Sequence, residues 1–387
     1  MLYALMLGWA LLYADRTSMY PLLSVIGPQL GISSTLAGSI TSAYFLMYVL
    51  MQIPSGLAGD RWGLKRVLIV MFGIAGIGIA GIGLFGTSYL SLLLLSALHG
   101  LGAGAYYPAC YGTMLSVVPP EKRGYSSGLI GIGMAFGILG GMAVSGPVFE
   151  WSGSFRAPFL ILGIPTLLML FVFRKYIPET KSGAQPSLSE YARLLKDPDI
   201  WKINLATFAS LYGFWVAVTW GPTFLKAERG FSLSQAGLYT GLVALSAIPA
   251  GIGWGRLSDR IGRKKVAVIV LPASAFALYL ITLVTSSPAI IAAFLLFGMF
   301  ANSAFVPTMV SWIGDIVSTR YPRSMGAAIG FFNAFVMSSA IVAPLVSGLL
   351  RDVTSSLIPA IHTGCGIMAL GTILLILTPG DRKDDRA

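Results

Sequence analysis

The sequence predicts an all-α membrane protein with 12 transmembrane helices in two pseudo-symmetric six-helix bundles. Three observations support this fold class: the composition of the chain, the length of its apolar segments, and a motif that occurs twice. Of the 387 residues, 56% are hydrophobic and 11% are charged, whereas soluble domains contain about 25% charged residues. Inside a lipid bilayer only helices and closed barrels satisfy the hydrogen bonds of the backbone.

The apolar segments are continuous rather than alternating, which favours helices over the strands of a membrane barrel. A helix needs about 20 apolar residues to cross the hydrocarbon core, and the chain contains segments of this length. The predicted spans are 3–24, 36–58, 67–86, 89–116, 126–148, 157–174, 203–224, 233–254, 265–285, 288–313, 325–348 and 357–378.

A polar stretch separates the first six spans from the last six. We therefore predict an N-terminal bundle at 1–174, a cytoplasmic middle loop at 175–202, a C-terminal bundle at 203–378 and a cytoplasmic tail at 379–387. The first apolar segment has no basic leader and contains charged residues, so we expect it to be a membrane helix rather than a cleaved signal peptide.

The basic residues are distributed unevenly between the loops. Of the 26 lysines and arginines, 21 lie in alternate loops and in the C-terminal tail. Because cytoplasmic loops of membrane proteins are enriched in Lys and Arg, we predict a multi-pass protein of the inner (plasma) membrane with both termini cytoplasmic. The net charge is +11, but the basic residues lie mostly in short loops between apolar segments, so we do not expect nucleic acid to be a partner.

The two halves of the chain contain the same motif. The pattern G-x-x-x-D-R-x-G-x-K-(R/K) begins at Gly56 and again at Gly255, an offset of 199 residues. The same offset relates three further pairs: Tyr13 and Tyr212, Ala37 and Ala236, and Pro108 and Pro307. A constant offset at separated positions indicates parallel structural repeats, a known plan of transporters.

This repeated loop resembles the signature loop of the major facilitator superfamily. Gly63 and Gly262 within it predict tight turns. The resemblance implies a gating role, in which the loop holds the outward-facing state, for four residues: Asp60, Arg61, Asp259 and Arg260. The alternative is that these charges only fix the orientation of the chain in the membrane.

The first helix contains Tyr13-Ala14-Asp15-Arg16, which resembles the Y-x-D-R stretch of the anion:cation symporter branch. That branch includes sialin, vesicular glutamate and sugar-acid transporters. The resemblance implies that Arg16 binds the carboxylate of a substrate and that Asp15 takes part in proton coupling. The spinster-type lysolipid transporters share a similar element.

The position of Asp15 and Arg16 points to function independently of this resemblance. At 1.5 Å per residue they lie about 18–20 Å along the first span, past the middle of a core about 30 Å thick. A charge at this depth is costly unless it faces a cavity or a partner. We expect Arg16 to face a cavity and bind an anion, and Asp15 to lie at a seam between helices. The alternative is a structural pair that only tethers helices.

Other polar and aromatic residues of the spans are candidates for binding substrate beside Arg16. They are Tyr13, Tyr44, Tyr48, Tyr107, Tyr111, Trp215, Asn302 and Asn333. Aromatic stripes in membrane helices also serve packing and anchoring at the interface. Of the two histidines, His99 could titrate but is predicted to pack between helices, and His362 is given no role.

The sequence thus predicts a secondary active transporter, a monomer that moves a small organic anion together with protons by alternating access. The alternative is an exporter of lysolipids or amphipathic drugs by proton antiport. A non-transporting receptor fits less well, because the longest loop is short. The absence of a Gly-rich phosphate loop argues against direct ATP coupling. We expect no cofactor, no metal and no enzymatic activity, with membrane lipids as the surroundings.

Overall fold

The computed structural model describes residues 1–119, 122–180, 195–321 and 325–379, and the regular secondary structure in these ranges is helical. The helices of the first half are α1 (Leu2–Thr17), α2 (Met19–Leu30), α3 (Ser34–Trp62), α4 (Leu64–Phe85), α5 (Tyr89–Gly104), α6 (Tyr106–Val117), α7 (Arg123–Ser152) and α8 (Ala157–Tyr176). Those of the second half are α9 (Pro198–Arg229), α10 (Leu233–Ile261), α11 (Arg263–Leu283), α12 (Ser287–Phe300), α13 (Asn302–Arg320), α14 (Met325–Met337), α15 (Ser339–Thr354) and α16 (Ile358–Ile376).

Eleven helical segments of the described chain are long and apolar enough to cross a membrane. They coincide with the second to twelfth predicted spans. The first predicted span is covered by α1 and α2, of 16 and 12 residues, which meet at Ser18. Neither piece alone reaches the length of a span. The arrangement of 12 helices in two bundles stays a prediction.

Local sequence signals explain where several helices begin and end. The Ser33 hydroxyl accepts a hydrogen bond from the amide of Leu36 and caps α3, and Ser88 forms a capping box at the start of α5. Gly63 and Gly262 adopt φ angles of 92° and 101° after α3 and α10. These left-handed conformations suit glycine, and they confirm the tight turns predicted in the repeated loop.

Glycines let α1 and α7 approach at backbone distance. A Cβ atom at Gly133, Gly137 or Gly141 of α7 would overlap successive carbonyl oxygens of α1, the last of them that of Ala14. The spacing of four residues places these glycines on one face of α7. This close contact fixes the last turn of α1, which contains Asp15.

The chain divides into two compact units. The first comprises Met1–Gly183, Thr219–Gly241 and Pro344–Val353, and the second comprises Ala184–Val218, Leu242–Ala343 and Thr354–Ala387. The first unit therefore contains α1 to α8 together with segments of α9, α10 and α15. The predicted bundle boundaries, which follow the sequence repeat, stay a prediction.

Candidate functional site

The candidate site lies at the last turn of α1. The helix ends at Thr17, whose hydroxyl donates to the carbonyl of Tyr13 at 2.7 Å. The hydroxyl of Ser18 donates to the carbonyl of Asp15 at 2.7 Å. The Thr17 hydroxyl bonds back to the carbonyl four residues earlier. The Ser18 hydroxyl serves one of the last carbonyl oxygens of α1, which lose their intrahelical donors because the helix ends. The break after Thr17 therefore leaves the charged pair at a well-anchored helix end.

Arg16 is buried among aromatic rings, with 5% of its surface exposed. Its guanidinium carbon lies 3.7 Å from the ring centroid of Tyr13, 5.1 Å from that of Phe45 and 5.9 Å from that of Tyr44. Tyr44 in turn stacks on Tyr48 at 6.0 Å. Ring faces attract a cation and hold a planar guanidinium in a fixed orientation. The site thus presents a permanent positive charge in an apolar, aromatic setting.

Asp15 points toward a different neighbour, α8. It is fully buried, and its Oδ2 accepts a hydrogen bond of 2.8 Å from the Thr166 hydroxyl. Its Oδ1 is buried without a hydrogen-bond partner among the described residues. Asp15 therefore lies at a seam between helices, and only one of its two carboxylate oxygens accepts a hydrogen bond there.

A small cavity adjoins both charged residues. The volume that the centre of a water molecule can occupy inside it is about 20 Å³, and this is enough for about one water. Sites for drug-sized ligands are far larger, about 300–1,000 Å³, so this cavity suits a water rather than an organic anion. Its polar lining comprises Asp15, Arg16, Tyr20, Thr41, Tyr44, Ser96 and His99.

His99 of α5 is fixed on two sides. Its Nδ1 lies 3.0 Å from the carbonyl oxygen of Ala75, and its ring stacks on that of Tyr44 at 5.1 Å. Because a carbonyl only accepts, Nδ1 carries the hydrogen and the Nε2 of the neutral ring has a lone pair. That Nε2 is buried without a partner in the described part of the chain. His99 packs between helices, as the sequence predicts, and it also lines the cavity.

The structure places the remaining substrate candidates in two regions. Tyr107 and Tyr111 are partly buried in α6 with ring centroids 4.6 Å apart. Trp9 connects them to α1, since it lies 6.2 Å from Tyr107 and 5.1 Å from Tyr13. The other candidates belong to the second unit: Trp215 on α9, Asn302 at the start of α13, and Asn333 on α14.

The predicted gating residues lie at helix ends beside the basic loops. Arg61, Asp259 and Arg260 are exposed, and the side chain of Asp60 lies outside the described residues. Asp259 forms an ion pair of 2.5 Å with Arg263, which also lies 3.5 Å from Asp315. The gating role of all four residues stays a prediction.

Two carboxylates at the opposite end of the helices cap helix N-termini. Asp352 accepts hydrogen bonds from the amides of Ser34 and Thr35 at 2.7 and 2.8 Å and from the Thr35 hydroxyl at 2.6 Å. Glu150 accepts from the amide and hydroxyl of Ser234 at 3.2 and 2.5 Å. These carboxylates meet the positive ends of the α3 and α10 dipoles. We call the two contacts the latches.

The latches repeat the internal symmetry of the sequence. Thr35 and Ser234, which they engage, are separated by the 199 residues of the repeat offset. Both contacts lie within the first unit. These contacts, and the places of Thr166 and Thr41 in the site, were not predicted from the sequence, because each partner is an ordinary polar residue whose position in the fold has no local sequence signal.

Comparisons with known proteins identify relatives over nearly the whole chain. The family model described as Major Facilitator Superfamily matches residues 5–253 and 203–387. The chain is 26% identical to the probable sulfoacetate transporter SauU of Cupriavidus necator, with 97% of this chain and 93% of the relative covered. It is 25% identical to the hexuronate transporter of Bacillus subtilis, with 96% and 92% covered.

A solved structure has the same fold. It is that of a bacterial homolog of the human lysosomal transporter Spinster, in an inward-facing and unoccupied conformation. The match has a TM-score of 0.76 at 18% sequence identity and covers 97% of this chain and 94% of that one. At this identity the likeness establishes the fold alone.

Proposed function

Because this chain belongs to the major facilitator superfamily, we propose that it is a secondary transporter that moves a small organic anion together with protons by alternating access. The observation that supports this most is the buried guanidinium of Arg16 in its aromatic surround. A charge inside a membrane helix marks a substrate or ion pathway by default. The planar fork of Arg suits the two oxygens of a carboxylate or the three of a sulfonate.

The relatives support an organic acid as the substrate class. The two named above are described as transporters of sulfoacetate and hexuronate, and both compounds are small organic anions. Such an anion would exchange its water shell for hydrogen bonds from Arg16 and from tyrosine hydroxyls. The apolar faces of Tyr13 and Tyr44 would then pack against the carbon skeleton of the substrate.

Proton coupling is proposed for Asp15. A buried carboxylate with one hydrogen bond is costly as an anion, and protonation removes this cost. When Asp15 is protonated, the pair has the single positive charge of Arg16 and attracts an anion. When Asp15 is ionised, its negative charge offsets the positive charge of Arg16, and the affinity for an anion falls. Because such coupling is reciprocal, a bound anion also favours the protonated form of Asp15.

Alternating access requires that each end of the pathway opens in turn. The distribution of Lys and Arg predicts that the basic loops are cytoplasmic, which places the latches at the outer end. We propose that outward opening breaks the hydrogen bonds of Asp352 to Ser34 and Thr35 and those of Glu150 to Ser234. Rearrangement at the basic loops would accompany it on the cytoplasmic side.

Asp352→Asn combined with Glu150→Gln is expected to raise the outward-open population roughly 5–30-fold, the effect of about 1–2 kcal/mol. Both changes keep the side-chain shape and remove the charge that faces the helix N-termini. The measurement is labelling of a cysteine at Thr41 by a membrane-impermeant thiol reagent added from outside. Cys110 and Cys365, the two native cysteines, are replaced by Ala beforehand.

The matched control for the latches is Glu179→Gln. Glu179 follows α8 and lies beside the basic loop after α3, at the predicted cytoplasmic ends of these helices. Glu179 is largely exposed and lies 3.8 Å from Lys65, so its neutralisation should leave outside labelling unchanged. Equal labelling rates in the latch variant and in the parent protein would contradict a gating role for the two carboxylates.

A further inference from the structure

The cavity beside α1 contains two proton acceptors rather than one. Asp15 contributes the buried Oδ1 and His99 contributes the buried Nε2, and neither atom has a hydrogen-bond partner among the described residues. Both residues line the same cavity, which has room for about one water. Buried polar atoms of native proteins are nearly always satisfied by protein or by ordered water. These two atoms, together with the Thr41 hydroxyl that is also buried without a partner in the described chain, therefore indicate a shared ligand in this cavity.

We propose that this cavity is a proton-binding site with two acceptors, in which one water joins the carboxylate of Asp15 to the imidazole of His99. The inference deepens the proposed function and rests on it, because it adds a second residue to the coupling site. The ligand is a proton carried by water. An organic anion is too large for the cavity itself, so substrate bound to Arg16 would extend outside it. A metal ion lacks a sufficient donor set, since no group of three His, Cys, Asp or Glu side chains that could hold one occurs in the described residues.

The transfer that this geometry allows conserves both atoms and charge. Protonated Asp15 donates its proton from Oδ1 to the water, and the water releases one of its own protons to Nε2 of His99. The products are the Asp15 carboxylate and the His99 imidazolium, with the water regenerated. Nδ1 keeps its hydrogen on the Ala75 carbonyl throughout. The ring therefore needs no rotation to accept the proton.

The charged and titratable groups around His99 decide where the proton resides. Asp15 and Arg16 face it from α1, Tyr20 from α2 and Tyr44 from α3. The α4 side presents the carbonyl of Ala75 with apolar side chains. Arg16 repels an imidazolium, and the Asp15 carboxylate attracts one.

An anion bound to Arg16 would compensate the charge of the guanidinium and remove much of its repulsion. A bound anion therefore favours a proton in this site as a whole, whether the proton resides on Asp15 or, after transfer through the water, on His99. The site thus links its proton occupancy to the binding of an anion at Arg16.

The inference is tested by nitrogen-15 NMR on purified protein labelled at histidine. His362→Gln removes the other histidine, which is exposed and lies in the second unit, so that every imidazole signal comes from His99. Spectra between pH 8 and pH 4.5 then report the fraction of imidazolium. We expect an imidazolium signal at low pH, and we expect Asp15→Asn to reduce its fraction at pH 5 at least threefold. This experiment needs no substrate.

Absence of an imidazolium signal over the whole range, or the same fraction with and without Asp15→Asn, would overturn the inference. A second measurement uses transport. His99→Gln in proteoliposomes should weaken the dependence of galacturonate and sulfoacetate uptake on a pH gradient at least threefold, while His362→Gln should leave it unchanged. Equal gradient dependence in the two variants also counts against a role for His99.

The two hypotheses fail in different ways. If uptake by the parent protein does not depend on the pH gradient, the proposed proton coupling is refuted, whatever the NMR shows. If uptake is driven by the gradient but the His99 ring stays neutral, the proposed function stands. Only the role of His99 as a second proton acceptor is then refuted.

Discussion

Arg16→Ala is expected to abolish specific binding of organic anions, with a loss of affinity of roughly 30-fold or more. Removing one partner of a buried, hydrogen-bonded charge pair costs about 2–5 kcal/mol, and each 1.4 kcal/mol corresponds to a factor of ten. The guanidinium is surrounded by the rings of Tyr13, Tyr44 and Phe45. The measurement is binding of radiolabelled anion to the purified protein.

Arg16→Lys is the matched variant for this prediction. It keeps the charge but lacks the planar fork, so an intermediate loss is expected if the geometry of the fork matters as well as its charge. The melting temperature of both variants is measured alongside, because Arg16 also packs on Tyr13. Unchanged affinity in Arg16→Ala would show that the residue only tethers helices.

Asp15→Asn is expected to uncouple transport from the pH gradient while leaving exchange of anion across the membrane. Asparagine has the shape of a protonated aspartic acid, and its carbonyl can still accept the hydrogen bond of Thr166. It cannot release a proton. For one proton per anion, a gradient of one pH unit provides about 1.4 kcal/mol, or tenfold accumulation. In the variant we expect no accumulation, so that the anion concentrations inside and outside become about equal.

The test of Asp15 compares two assays on the same proteoliposomes. Accumulation is measured with an imposed pH gradient, and exchange is measured with anion on both sides and no gradient. Thr166→Val is the control, since it removes the hydrogen bond but keeps the titrating carboxyl and should remain gradient-driven. Normal accumulation in Asp15→Asn would eliminate Asp15 as the coupling residue.

The sequence predicted the helices well because long apolar segments leave little choice inside a bilayer. The predicted span 36–58 corresponds to α3, Ser34–Trp62, and the predicted span 157–174 to α8, Ala157–Tyr176. Hydropathy does not detect interruptions within a span, however. The breaks at Ser18 and Ala105 depend on local hydrogen bonds and on helix packing, and a sliding average passes over both.

Part of the site was also predictable. Arg16 and Tyr13 are three residues apart on one helix, so their contact follows from the helical period. The contact of Asp15 with Thr166 spans 151 residues, and that of Asp352 with Thr35 spans 317. Such contacts arise from tertiary packing, and no periodic pattern in the sequence encodes them.

Anion binding at Arg16 is the central requirement of the proposed function, and thermal stabilisation of the purified protein tests it directly. The protein is melted at pH 5 and pH 7.5 with sulfoacetate, galacturonate and other organic anions, and with lysolipids and organic cations for comparison. We expect one class of organic anion to raise the melting temperature, more strongly at pH 5, and Arg16→Ala to remove the effect. Stabilisation only by lysolipids or cations, unchanged in Arg16→Ala, would contradict the account and favour an exporter of amphipathic compounds.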